Sequence, residues 1–157
     1  MPLLDCLLPV SNSETYFEEC LESVLSQSYT DFRLLIYDDC SKDRSLSIAE
    51  KYQKKDDRIH LFKGKTTQGI PSALNSLIRM AKSKYIAIQL PSDLSHKHRF
   101  EKQLKRLRNS SLVALGSSFI WDKRLIGGEQ AEVLCSQNPK EVLDAQIFSD
   151  GHRGLFM

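Results

Sequence analysis

The stretch Asp31-Phe32-Arg33-Leu34-Leu35-Ile36-Tyr37-Asp38-Asp39-Cys40-Ser41-Lys42-Asp43 decides the fold. Its middle, Phe32 to Tyr37, is a short apolar run of the kind that forms a buried strand. The run stops at two adjacent carboxylates, Asp38 and Asp39. Ser41 or Asp43 then stands where a residue can cap a following helix that carries Leu46, Ala49 and Tyr52. Neighbouring carboxylates repel each other and need water, a cation or the donors of a ligand. One reading of the pair is a solvated turn in which an Asp caps the next helix. The other is hydrogen bonding to a base or ribose, as acidic residues at strand ends do in dinucleotide folds. From this stretch alone the two are level.

Working outward, Leu3 to Leu8 reads as a buried strand ending at Pro9. Phe17, Cys20, Leu21, Val24 and Leu25 then form one face of a helix, with Thr15 and Glu18 as a capping box. Ile59 to Phe62 is a short strand. Ile70, Ala73, Leu74, Leu77, Ile78 and Ala81 mark the cleanest amphipathic helix, with Pro71 in its first turn. Tyr85 to Gln89 is a fourth strand, and Lys97 to Arg108 a helix with Phe100, Leu104 and Leu107 inward. Further on, Leu112 to Phe119 reads as a strand and Trp121 to Leu125 as a turn into a hairpin. Pro139 to Phe148 reads as a last short helix, and the end as irregular. This alternation predicts an α/β fold, a mostly parallel, doubly wound sheet flanked by helices on both faces. Ligands of such sheets bind outside the carboxyl ends of the strands. The polar residues there are Asn12, Asp38, Asp39 and Asp93.

The composition fits this picture. The 157 residues are 41% hydrophobic and 27% charged, which predicts one domain with one core. A formal net charge of +2 gives no global drive toward nucleic acid. Cys6, Cys20, Cys40 and Cys135 show neither zinc-like spacing nor a nearby His partner, which favours free thiols and a reducing, cytoplasmic compartment. The apolar N-terminus is short, is interrupted by Asp5, and lacks a basic leader region. No apolar run approaches the roughly 20 residues of a membrane span. The expectation is a soluble protein, at most peripheral at the inner membrane.

Three other segments carry weaker signals. Lys63-Gly64-Lys65-Thr66-Thr67-Gln68-Gly69 precedes a helix N-terminus, a place suited to anions, but it lacks the spacing of a phosphate-binding P-loop. His96 and His98 could hold a metal, but no third ligand lies within a few residues. The helix 97–108 carries Lys97, Arg99, Lys102, Lys105, Arg106 and Arg108 against Glu101 alone. This reads as a solvated face, with peripheral contact to an acidic membrane as the second reading.

Taken together, three runs resemble family 2 glycosyltransferases of the GT-A fold. They are Leu8-Pro9-Val10-Ser11-Asn12, the segment Tyr16 to Tyr29 with its Ser26-Gln27-Ser28-Tyr29, and Asp31 to Asp43 with its Asp38-Asp39-Cys40-Ser41-Lys42-Asp43. The likeness continues through Gly69, Ala73 and Asn75, then Tyr85-Ile86-Ala87, Arg99 and Gln103. It implies that Pro9, Val10 and Asn12 line a nucleotide pocket. It also implies that Asp39, with Asp38, accepts hydrogen bonds from the uracil or ribose of a nucleoside-diphosphate sugar, a UDP-sugar in the first instance. Gly69 and the third helix would flank the nucleotide. The implied reaction inverts the anomeric centre as an acceptor hydroxyl, on a glycan or a lipid-linked acceptor, attacks the sugar carbon. Mn²⁺ or Mg²⁺ would stabilise the departing diphosphate. The implied layout is a single GT-A-like domain over 1–157, with a nucleotide-binding half at 1–95 and a partial acceptor-side half at 96–157.

Two departures from the family pattern stand out. The family's Asp-x-Asp-Asp metal motif is here Leu90-Pro91-Ser92-Asp93, in which Asp93 alone is a carboxylate that can face a metal. The family's catalytic base lies beyond Met157, and neither Asp144 nor Asp150 aligns with it. Two functional readings follow: a nucleotide-sugar glycosyltransferase of polysaccharide or cell-surface glycan synthesis, and a truncated or inactive relative that binds a nucleotide or a protein partner without turnover. A phospho-acceptor receiver domain, a third class with acids at its strand ends, would need an Asp where the third strand ends. Phe62-Lys63-Gly64 has none.

Overall fold

In the computed structural model of the chain, the described residues are 2–109, together with the strands 119–122, 131–134 and 154–156. Among these described residues, eight strands and four helices follow in order: β1 (Leu4–Val10), α1 (Glu14–Leu25), β2 (Phe32–Asp38), α2 (Ser45–Gln53), β3 (Ile59–Lys63), α3 (Ile70–Met80), β4 (Tyr85–Ile88), β5 (Leu94–Ser95), α4 (Arg99–Arg108), β6 (Phe119–Asp122), β7 (Ala131–Leu134) and β8 (Gly154–Phe156). The first four strands form one parallel sheet in the order β3-β2-β1-β4. The predicted class, a mostly parallel sheet between helices, is the one observed.

In-register residues on neighbouring parallel strands share a face, so β1 sorts the core into two layers. Leu4, Cys6, Leu8 and Val10 join Phe32, Leu34 and Ile36 beneath α1, α2 and α4. There they meet Phe17, Cys20, Leu21, Val24, Ala49, Phe100 and Leu104. Phe32 and Phe100 meet edge to face at 5.2 Å, a geometry their ring quadrupoles favour. On the opposite face Leu7 and Leu35 pack against Leu77 of α3. That row continues into β4, where Ile86 pairs in register with Asp5 and Ile88 with Leu7. Here α3 gives less cover, and Ile86, Ile88 and Leu90 stay 40–47% exposed, as does Ile78 of α3.

Several boundaries differ from the sequence reading. β1 runs through Pro9 to Val10. The carbonyls of Leu3 and Leu7 accept from β4 and its continuation, whereas that of Val10 accepts from Asp39. Alternate residues therefore face opposite neighbours. Pro9 faces the β4 side beyond the last β1–β4 pair, Leu7–Ile88, so its missing N–H removes no ladder bond. The expected Thr15–Glu18 capping box is replaced from a distance. Helix α1 begins at Glu14, whose N–H donates to Asp43 Oδ2 at 2.9 Å. The other oxygen of Asp43 accepts the N–H of Ser45 at the start of α2. One carboxylate thus satisfies donors at two helix N-termini. Burial would raise its pKa, but the N–H groups of Glu14 and Ser45 outweigh that and hold it below the usual carboxylate value.

Helix α4 begins at Arg99, two residues later than expected. The last strands form a second sheet, β5-β8-β6-β7, in which β6 and β7 pair antiparallel. Trp121 and Asp122, expected in a turn, lie in β6, and the tail expected to be irregular contains β8. The expected helix 139–148, most of the expected strand 112–119, Cys135, Asp144 and Asp150 lie outside the described residues. Cys6, Cys20 and Cys40 are free thiols. Among the described residues, no helix is long and apolar enough to cross a membrane.

Candidate functional site

The carboxyl ends of β1, β2 and β4 and the N-terminus of α3 supply the candidate residues. The chain turns out of β1 and β2 through two left-handed residues, Asn12 (φ 48°) and Cys40 (φ 56°). Asn adopts this conformation readily, whereas for Cys it is uncommon and needs support from its surroundings. That support is visible. Asp39 N–H donates to Val10 O at 2.8 Å, and Cys40 Sγ donates to Gly64 O at 3.1 Å. Asn12 laces the two turns together: its Oδ1 accepts from Lys42 N–H at 2.8 Å, and its own N–H donates to Ser41 Oγ at 3.1 Å.

The two aspartates divide the work. Asp39 is fully buried. Its carboxylate accepts from the backbone N–H of Gln68 at 2.9 and 3.1 Å and of Gly69 at 2.7 Å. It therefore straps the loop before α3 onto the end of β2. Gly69 sits at φ 87°, ψ 158°, a region open essentially to glycine alone. Gly64 is held by a bond from its N–H to Asp38 O at 2.8 Å, and a Cβ there would meet that same oxygen at 3.0 Å.

Asp38 is 3% exposed. Its Oδ2 accepts from Ser41 N–H at 3.2 Å, whereas Oδ1 is buried with no hydrogen-bond partner among the described residues. A buried polar atom left unpaired costs the free energy of its lost hydration, and native proteins rarely leave one so. An N–H or O–H supplied by a ligand would satisfy it.

Beyond β4, Leu90 to Asp93 form a turn closed by Asp93 N–H to Leu90 O at 3.1 Å. Asp93 is 4% exposed, and Ser92 Oγ donates to its Oδ1 at 3.3 Å. Asp93 is a single carboxylate. Among the described residues, no group of three or more His, Cys, Asp or Glu side chains could hold a metal by itself. The residues fit a cation that arrives with a diphosphate, because Mg²⁺ is commonly held by one or two carboxylates plus substrate phosphates. His98 does not complete a metal site with His96. Its Nδ1 lies 3.0 Å from Ser28 Oγ and 3.2 Å from Glu101 Oε2.

A buried polar network behind this turn was not anticipated. It joins Gln89, Ser95 and Arg99; beside it the buried Gln27 donates from Nε2 to His96 O at 2.8 Å and accepts the N–H of Phe100 through Oε1 at 3.1 Å. The readable signal was Gln89, a polar residue continuing an apolar strand, ten positions before an Arg on an inward helix face.

In open parallel α/β sheets ligands bind outside the carboxyl ends of the strands, where these acidic residues and the glycine-led α3 stand. Comparison with known proteins is more specific. The family model described as glycosyl transferase family 2 matches residues 5–132, and the chain belongs to that family. A Bacillus subtilis protein named as a teichuronic acid biosynthesis glycosyltransferase, TuaG, is 34% identical over 110 residues, which are 70% of this chain and 44% of TuaG. Staphylococcus aureus TarS in complex with UDP-GlcNAc superposes with a TM-score of 0.63 at 27% identity, covering 68% of this chain and 31% of that one. A mannosyltransferase from Pyrobaculum calidifontis, in complex with GDP-Man and Mn²⁺, shares the fold with a TM-score of 0.66 at 20% identity, covering 78% of this chain and 36% of that one. The chain spans less than half the length of the curated relatives it matches.

Proposed function

We propose that this chain carries the donor-nucleotide half of a glycosyltransferase that moves a sugar from a nucleoside-diphosphate sugar to a glycan or lipid-linked acceptor of a cell-surface polysaccharide. The observation that carries this reading is the buried, unpartnered Oδ1 of Asp38 at the carboxyl end of β2. A uracil imide N–H or a ribose hydroxyl is a donor of the right kind. A UDP-sugar is therefore the donor to test first, as with the UDP-GlcNAc bound by TarS. In this reading Asp38 meets the nucleoside directly. Asp39 acts one step back, fixing Gln68 and Gly69 at its flank. Pro9 and Asn12, with the backbone of Val10, whose side chain is in the core, form the wall opposite.

Asp93 stands at the diphosphate end. Asp93 would hold a Mn²⁺ or Mg²⁺ ion that arrives with the donor, and the ion would supply charge neutralisation for the leaving diphosphate. Within a single domain, residues 1–95 would form the nucleotide half, and 96–157 the beginning of the acceptor side. The exposed Lys102, Lys105, Arg106 and Arg108 of α4 suit peripheral contact with an anionic membrane carrying a lipid-linked acceptor. Transferase names among the relatives favour this reading over a protein that only binds.

The test is titration of the chain with uridine, UDP and GDP, followed by hydrolysis and transfer assays over a panel of nucleotide sugars. Binding of UDP and turnover of one donor are expected. Absence of nucleotide binding by this chain would overturn the proposal.

A further inference from the structure

We infer that Arg99 is a positioning residue: acting through Gln89, it fixes the turn after β4 and thereby sets where Asp93 stands. The inference rests on the reading of Asp93 as the diphosphate end of the donor site.

Arg99 lies in the first turn of α4, yet it is only 5% exposed. Its guanidinium grips the turn at both of its roots. Nη2 donates to the carbonyl of Ile88, the last residue of β4, at 2.8 Å. Nη1 donates to Gln89 Oε1 at 2.6 Å and to Ser95 Oγ at 2.8 Å, and Ser95 lies in β5 on the far side of the turn. Nε reaches Gln103 Oε1 at 3.3 Å within the same helix.

Gln89, itself fully buried, passes the restraint inward. Its Nε2 donates to Asp93 O at 2.8 Å and to Leu90 O at 3.2 Å, and its Oε1 accepts from Ser95 Oγ at 2.7 Å. Residues 90 to 94 are thus bracketed by one planar fork and one amide.

Stability alone is a poor reason for this arrangement. Burying a guanidinium costs several kcal/mol of hydration, and apolar side chains of similar volume often serve a core as well or better. What a fixed fork adds is geometry, because four separate acceptors are held at set angles. A lysine ammonium lacks that plane. Burial lowers the pKa of Arg99, and the charge of Asp93 is among the smaller effects that oppose it.

The experiment uses the full chain, Arg99→Lys and, as a second variant that keeps the acceptor atoms, Gln89→Glu. Two readouts are taken: amide hydrogen exchange along the chain, and affinity for uridine and for UDP, each with Mn²⁺ and with EDTA. In Arg99→Lys, exchange should rise in the peptide 89–95 while β1 and β2 keep wild-type protection. The gain in UDP affinity that Mn²⁺ brings should fall about tenfold, the scale on which partners behind a metal ligand act. Uridine affinity should stay within about twofold, since the nucleoside is read at Asp38 on another strand. Gln89→Glu should reproduce the loss. Adding Arg99→Lys to Asp93→Asn should cost nothing beyond Asp93→Asn alone.

A variant that loosens the whole chain and loses uridine and UDP alike would overturn the inference. So would one that keeps the full Mn²⁺ gain, which leaves the donor-site reading standing. A wild-type chain with no Mn²⁺ gain would overturn the reading of Asp93 itself, and the inference with it.

Discussion

Asp5 gives the sharpest quantitative expectation. It interrupts the apolar first strand, is fully buried, and pairs in register with Arg33 on β2. The pair is bidentate, with Arg33 Nε and Nη2 at 2.8 and 2.7 Å. The same carboxylate accepts the N–H groups of Lys82 and Ser83 and the hydroxyl of Ser83, at 2.8 to 3.0 Å. It therefore joins β1, β2 and the entry to β4. Burial would raise the pKa of Asp5, but Arg33, the two N–H groups and the Ser83 hydroxyl outweigh that and lower it from 3.8 to about 2.

At ~1.4 kcal/mol per pKa unit, a shift of just under two units makes the ionised form worth roughly 2 kcal/mol of stability. The folded pKa is the depressed one, so this stability is present in full above the unfolded value near 3.8 and is lost as pH falls through about 2. Urea melts of wild type and Asp5→Asn between pH 2 and 7 should show a gap of roughly 2 kcal/mol at neutral pH that narrows below about pH 4. Exchange at Tyr85 to Ile88 should also quicken in the variant, since Asp5 fixes the loop entering β4. A gap near zero at pH 7, or one unchanged at pH 2, would refute the reasoning.

Other perturbations follow from the same contacts. Gly69→Ala forces a side chain into the φ 87°, ψ 158° conformation and should cost on the order of 1–3 kcal/mol in a urea melt. Ile88→Lys, on the poorly covered row of β4, should change stability by less than about 1 kcal/mol in a urea melt, since Ile88 is already 47% exposed. Vesicles containing anionic lipid should retain the wild-type chain at low salt, and Lys102→Glu with Lys105→Glu should release it. Binding that is indifferent to salt would count against a charged contact.

The sheet was legible in the sequence because its signal is local. Phe32 to Tyr37 is apolar throughout, and the period of Ile70 to Ala81 admits only a helix. The departures arise where distant partners decide. The start of α1 is set by Asp43, 29 residues on, rather than by Thr15. Pro9 stays within a strand because β4 ends before reaching it. At the site, the Asp38-Asp39 pair was readable as a pair, but its division of labour was not. Which carboxylate is spent on the backbone depends on where the loop at Gln68 and Gly69 folds back, 29 and 30 residues away. Arg99 could be noticed as a residue, but its role depends on Gln89 and Ser95 converging on it from either side of a turn.

The central claim is that Asp38 Oδ1 awaits a donor from the nucleoside, and calorimetric titration of UDP into wild type and Asp38→Asn tests it most directly. An asparagine that keeps the Ser41 bond through its oxygen turns its amide N–H₂ toward the ligand, so donor would face donor. Loss of a hydrogen bond to a charged acceptor, at about 1.5–3 kcal/mol, predicts UDP binding weakened by roughly tenfold to a hundredfold. The variant should remain folded, with a stability within about 1 kcal/mol of wild type, because one unpartnered buried polar atom takes the place of another. Unchanged affinity for UDP in a folded Asp38→Asn protein would contradict the account.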